Sequence, residues 1–311
     1  MSREYRLFNY PDSAPGGYTF LTGIRGKESS EDLHITGGYV DPDGGVTGLY
    51  YIGRKSGKGK WWELKYASTA SETVLYGPNI LHCGNVQAVG SYKTEQTGPL
   101  DIGCLYEGKP DGSGKWTTLR PPVEGVKNTI AHSTNGGLVV GNYDTELRSG
   151  FAFIYDIERK KYYTITLKEA ETNTAYGIWY EGCGQYIICG GYSKDDRGYA
   201  YTIRLRQEGK KLKTYDFQSY SYQNDENEYP ITHFDGIAPN DKGGYNLTGT
   251  GVQVGKDNFA FFASTDRKGK AKWSEVAVPG AESTTGNSVW EKIVIGVFTT
   301  HVGGLEAYIS Y

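Results

Sequence analysis

The chain of 311 residues is poor in the signals that most often betray a protein's chemistry. Methionine occurs once, and no Ala/Leu/Glu/Lys-rich stretch sustains a 3.6-residue period, so helix content is expected to be close to nil. No apolar run approaches the length of a membrane span, and no membrane partner is expected. Met1-Ser2-Arg3-Glu4-Tyr5 lacks the apolar core of a secretory signal. That leaves a cytoplasmic protein as the chain stands, or a secreted one whose signal was removed. The formal net charge is only −3, which does not suggest a nucleic-acid binder. Cys83, Cys104, Cys183 and Cys189 are too few and too scattered for a disulfide framework, and none stands at zinc spacing. Free thiols are expected, with a Cys183–Cys189 bridge inside one hairpin as the alternative. No metal and no cofactor is expected. A Gly-x-Ser-x-Gly elbow is missing, which removes one serine-hydrolase reading.

Glycine (44 residues) and tyrosine (27) are abundant instead, the composition of many short strands joined by tight turns. A Gly-x-aromatic step after an apolar run recurs at Gly37-Gly38-Tyr39, Gly90-Ser91-Tyr92, Gly141-Asn142-Tyr143 and Gly190-Gly191-Tyr192. Degenerate copies follow at Gly249-Thr250-Gly251 and Gly296-Val297-Phe298. The intervals are 53, 51, 49, 59 and 47 residues, a repeat of about fifty. Each step is followed by a second aromatic strand, such as Gly150-Phe151-Ala152-Phe153, and then by a Lys/Gly turn and a third strand, such as Trp116-Thr117-Thr118-Leu119. Another strand precedes each step, as at Thr174-Ala175-Tyr176-Gly177-Ile178. The sixth copy stops at Tyr311 without its outer strand, whereas an orphan strand, Tyr5 to Pro11, opens the chain.

The pattern predicts an all-β, six-bladed β-propeller of four-stranded antiparallel blades. It forms a single domain over 1–311, with repeats near 18–66, 73–120, 128–167, 173–217, 231–278 and 285–311, the last completed by 4–11. Pairing of the first strand into the last blade removes the open end of the ring. The repeat resembles the bacterial HAF-type (extracellular) repeat family. Gly137-Leu138-Val139-Val140-Gly141-Asn142-Tyr143, Gly150-Phe151-Ala152-Phe153-Ile154-Tyr155 and Val278-Pro279-Gly280-Ala281 carry the likeness. The fifth and sixth copies depart from it by losing the tyrosine of the step. The resemblance implies architecture and transfers no catalytic residue.

In such a ring the turns between the third and fourth strands share one face. The five visible ones hold 17 Lys or Arg against 6 Asp or Glu. A polyanion surface is one reading. Protection of exposed strand edges by lysine is the preferred one, because no aromatics interleave with the charges. The other face is acidic, with Asp41, Asp43, Asp195, Asp196 and Asp257 in its turns and a Tyr-rich loop expected from Asp216 to Pro230. Asp41-Pro42-Asp43-Gly44 resembles the start of a calcium loop but lacks the later ligands.

Small-molecule sites in propellers favour the channel mouth on that acidic face. Alignment of the six copies brings Thr22, Arg25, Tyr76, Asn79, His132, Tyr176, Trp179, His233, Asp235 and Asn287 toward it. The expected ligand-binding set is Arg25, Tyr76, Asn79, His132, Tyr176, Trp179, His233 and Asp235. Two function classes follow. The first is a non-catalytic recognition module for a glycan or another small polar molecule, held by aromatic faces. The second is an enzyme, a lyase, isomerase or hydrolase, using His132, His233 and Asp235 as acids and bases. A protein-interaction scaffold is a weaker third. A monomer is expected.

Overall fold

A computed structural model describes residues 3–27, 30–256, 258–301 and 303–311; Asp257 of the acidic turns lies outside them. The described chain is all-β, relieved only by two short 3₁₀ turns at His82–Gly84 and Tyr222–Asn224. A first strand, β1 (Tyr5–Leu7), precedes a unit of β2 (Tyr18–Gly26), β3 (Leu33–Val40), β4 (Val46–Gly53) and β5 (Gly59–Leu64). The second unit is β6 (Ala70–Ile80), β7 (Val86–Thr94), β8 (Ile102–Gly108) and β9 (Lys115–Leu119). The third is β10 (Val126–Asn135), β11 (Leu138–Thr145), β12 (Phe151–Asp156) and β13 (Lys161–Thr164). The fourth is β14 (Thr172–Gly182), β15 (Gln185–Lys194), β16 (Arg197–Glu208) and β17 (Lys211–Tyr220). The fifth is β18 (Ile231–Pro239), β19 (Tyr245–Val252), β20 (Asn258–Thr265) and β21 (Ala271–Val276). The sixth holds two pieces of one inner strand, β22 (Ser283–Thr284) and β23 (Ser288–Trp290), followed by β24 (Ile293–Thr299) and β25 (Leu305–Ser310).

Within each unit successive strands pair antiparallel. Single parallel contacts, Val46↔Glu72 and Gly198↔Ile231, join neighbouring units at their edges. β1 pairs antiparallel with β25 in the register Tyr5↔Ser310, Arg6↔Ile309 and Leu7↔Tyr308, so the two ends of the chain share a sheet. The loop expected to begin at Asp216 is strand as far as Tyr220, because β17 continues to pair with Ala200–Thr202 across a register shift.

Apolar positions alternate along the strands, and the Gly-x-aromatic steps fall in the second strand of each unit, whose faces are both covered. The cores lie between neighbouring units. One joins Leu138, Val140 and Ile154 of the third unit to Ile178, Ile188 and Ile203 of the fourth. Another joins Leu21, Ile24 and Ile35 of the first unit to Val294, Ile295 and Tyr308 of the sixth. Asn246 is buried in β19 and donates to the Glu291 carbonyl oxygen. All four cysteines are free, Cys104 and Cys189 buried and Cys83 and Cys183 exposed in turns.

Candidate functional site

The inner strand of every unit carries a surplus residue at one equivalent place, opposite the strand beside it. Register shifts fall between Leu21 and Gly23, Leu75 and Pro78, Ala131 and Ser133, Ala175 and Gly177, and Phe234 and Gly236. In the sixth unit the surplus residue lies between Thr284 and Ser288. A bulge leaves one residue unpaired and re-aims its side chain. Thr22, Tyr76, His132, Tyr176, Asp235 and Asn287 occupy these bulges and line one cavity of about 400 Å3, together with His233, Thr250 and Thr285.

The position after each bulge is Gly or Ser, and the spacing of the inner strands explains why. A Cβ on Gly23 would stand 2.1 Å from the Tyr76 carbonyl oxygen, and one on Gly236 would stand 2.7 Å from Ser288 Cα. At Gly23 and Gly236 only glycine permits such approach of neighbouring backbones. Between the sixth unit and the first, Ile24 N–H donates to Ser288 Oγ (3.3 Å) and Asn287 Nδ2 donates to the Leu21 carbonyl (2.6 Å).

His132 lies edge-on between two tyrosines, with its ring 5.0 Å from that of Tyr76 and 4.7 Å from that of Tyr176. Its Nε2 is 2.8 Å from Asn142 Oδ1. The amide oxygen accepts, so Nε2 holds the proton and Nδ1 keeps its lone pair. Burial lowers the pKa of His132 to about 4, outweighing the support from Asn142. Across Tyr176, whose ring is 5.7 Å from that of His233, the situation is reversed. His233 Nε2 is 3.4 Å from Asp235 Oδ2, and Thr250 Oγ1 donates to that oxygen (3.4 Å). Burial pulls the His233 pKa down, but the attraction and hydrogen bond of the Asp235 carboxylate outweigh it, and the net direction is up. Burial, reinforced by Asp235, also raises the Tyr176 phenol; burial and Asp101 push Tyr76 up to about 12. Both phenols therefore stay protonated and can donate.

Three residues expected at the same place do not line this cavity. Arg25, Asn79 and Trp179 stand three positions beyond the bulges of their strands and form a layer beneath it. Arg25 packs 4.9 Å from the Trp179 ring, Trp179 meets Trp290 at 5.8 Å, and Asn79 is tied to Gln87 and Asn135. Strand geometry accounts for the division, because three residues span roughly 10 Å along the axis. Thr250 and Thr285 were not anticipated. Thr250 is the middle residue of its Gly-x-aromatic step, and Asn142 holds the same place in the third repeat. In these two repeats the middle residue reaches the bulged side chain of its own unit, Thr250 meeting Asp235 and Asn142 meeting His132.

A second cavity, of about 430 Å3, shares Tyr176 and His233 with the first and runs outward past Tyr192, Arg197, Tyr199 and Glu171. Among the described residues no group of three or more His, Cys, Asp or Glu could hold a metal ion.

No protein-family model and no curated protein matches the chain. Solved structures similar to it include a GH32 β-fructofuranosidase from Bombyx mori in complex with sucrose. Identity is 12%, over 99% of this chain and 77% of that one, with a TM-score of 0.44. A levansucrase from Bacillus subtilis is another, at 8% identity over 88% of this chain and 91% of that one, with a TM-score of 0.46. Likenesses at this level transfer neither a residue nor a reaction. The cavity itself holds histidines whose proton affinities are displaced in opposite directions. The expectation of a non-catalytic recognition module is accordingly corrected to the enzyme alternative.

Proposed function

We propose that the protein is an acid–base enzyme acting on a small polar molecule at the channel mouth of a six-bladed β-propeller. The ring reading is supported by contacts of each inner strand with the next, by the links from Ser288 and Asn287 to β2, and by the pairing of β1 with β25. The repeats are read as relatives of the HAF type, and the whole chain as one domain.

One observation carries the catalytic assignment. Two histidines line a single cavity, one with its pKa lowered and one with it raised. Environments that push like groups apart divide the roles of acid and base. His132, neutral with a free Nδ1, accepts a proton from the substrate. His233, protonated against Asp235, delivers one to a leaving oxygen or a carbonyl oxygen. Tyr176 stands between them and donates a hydrogen bond to the reacting molecule, while Asp235 and Thr250 orient His233. This is the equipment of an elimination or an isomerisation. Two-carboxylate glycoside hydrolysis is not what the cavity is built for, because Asp235 is the only carboxylate among its described lining residues.

A panel of uronates, sugar acids, polyols and disaccharides, followed by NMR in D2O, tests the proposal. Turnover or solvent-proton exchange is expected for one class. His233→Ala or His132→Ala should lower kcat on the order of 100-fold or more, with the melting temperature little changed. Asp235→Asn should move the alkaline limb of the rate profile to lower pH, because it removes the charge that raises His233. Ligands that bind without turnover, or turnover indifferent to both histidines, would overturn it.

A further inference from the structure

Arg25 has no role in the proposed chemistry, yet it is a buried guanidinium, 6% exposed, at the centre of the molecule. Among the described residues no carboxylate lies within ion-pair distance of it. Its one hydrogen bond runs from Nη2 to the Ile178 carbonyl oxygen (3.4 Å), and Nε is fully buried without a partner. Stacking on Trp179 offsets part of the cost, but an uncompensated buried cation is expensive, and a buried donor is normally satisfied. Arg25 also lines a small void of about 20 Å3, between the bulged residues and the layer below. That space suits a single solvent-sized particle.

Two other walls offer hydroxyl donors to such a particle. Ser288 Oγ accepts from the Ile24 amide and has its own proton to give. Ser133 also faces the void, and its hydroxyl makes no hydrogen bond to the described residues. His132 is neutral above about pH 4, since burial lowers its pKa to that value. Asp235 lines the upper wall but forms no ion pair with Arg25. Its charge is directed to His233.

We propose that this void binds one monovalent anion of chloride size, held by the Arg25 guanidinium and the Ser133 and Ser288 hydroxyls. The ion neutralises the core of the ring and supports the layer on which the reacting cavity rests. The site is independent of the catalytic assignment.

Crystals grown in sodium bromide provide the direct test, read by anomalous diffraction at the bromine edge. A peak in the void within hydrogen-bond reach of Arg25 is expected. In solution, raising chloride from 10 to 200 mM should lift the melting temperature by about 2 °C more than gluconate at matched ionic strength. Arg25→Met should abolish that difference. If Arg25→Met does not fold, the wild-type comparison still decides. Water in the void of bromide-grown crystals, together with equal chloride and gluconate responses, would overturn the proposal.

Discussion

His132 and His233 sit about one tyrosine apart, and their burial and neighbours give them opposite effects on stability. Folded His132 stays neutral down to about pH 4, whereas its ordinary value is 6.5. The unfolded chain therefore binds more protons between those values, and stability is lost as pH falls through that window. His34, lowered to about 4 by burial despite Asp32, acts with the same sign. His233 acts in reverse. Its contribution is present below its ordinary value of 6.5 and is lost as pH rises through the higher folded value. His132→Gln should remove on the order of 2 kcal/mol of the acid-side loss, measured by urea unfolding at pH 7 and pH 4.5. An unchanged difference between the two pH values would mean that the His132 environment does not hold it neutral. His34 leaves a residual slope in either case.

At the scale of the strand, the close approach of inner strands makes their glycines intolerant. Gly236 faces Ser288 Cα at 2.7 Å and Val289 N at 2.8 Å from the position of an added Cβ, and both obstacles are backbone. Gly236→Ala should cost about 2 kcal/mol, seen as a lower urea midpoint with unchanged slope. Stability equal to wild type would show that the strands part easily. The repeat made the strands and many turns legible, because period-two alternation and the Gly-x-aromatic step are local properties of the chain. The bulges were not legible. Surplus residues at Thr22 or His132 leave no mark in a single strand and appear only when it is paired with its neighbour. For that reason Arg25, Asn79 and Trp179 were grouped with residues that lie a layer away, whereas His233 and Asp235, two apart in sequence, stand 3.4 Å apart in one cavity.

At the scale of the molecule, residues 5–10 tie the last unit to the first. β1 hydrogen-bonds to β25, while Phe8 packs edge-on against Tyr51 (5.1 Å) and beside Trp61 (5.7 Å), both of the first unit. Tyr10 donates to Glu63 Oε1 (3.0 Å) of the same unit. Phe8→Ala should therefore cost about 3 kcal/mol and lower the midpoint of one global transition, followed by far-UV circular dichroism and tyrosine fluorescence together. A separate early transition confined to the last unit would contradict this coupling.

The bulges also bear on how such a molecule acquires new chemistry. Six side chains converge on one spot while standing outside the backbone ladders of the sheets, although Asn287 and Thr22 also tie neighbouring units through the Leu21 and Leu75 carbonyls. Threonine, tyrosine, histidine, aspartate and asparagine already share these equivalent places. The scaffold thus keeps much of its durability apart from its reactivity, and a different substrate calls first for other side chains at these six places.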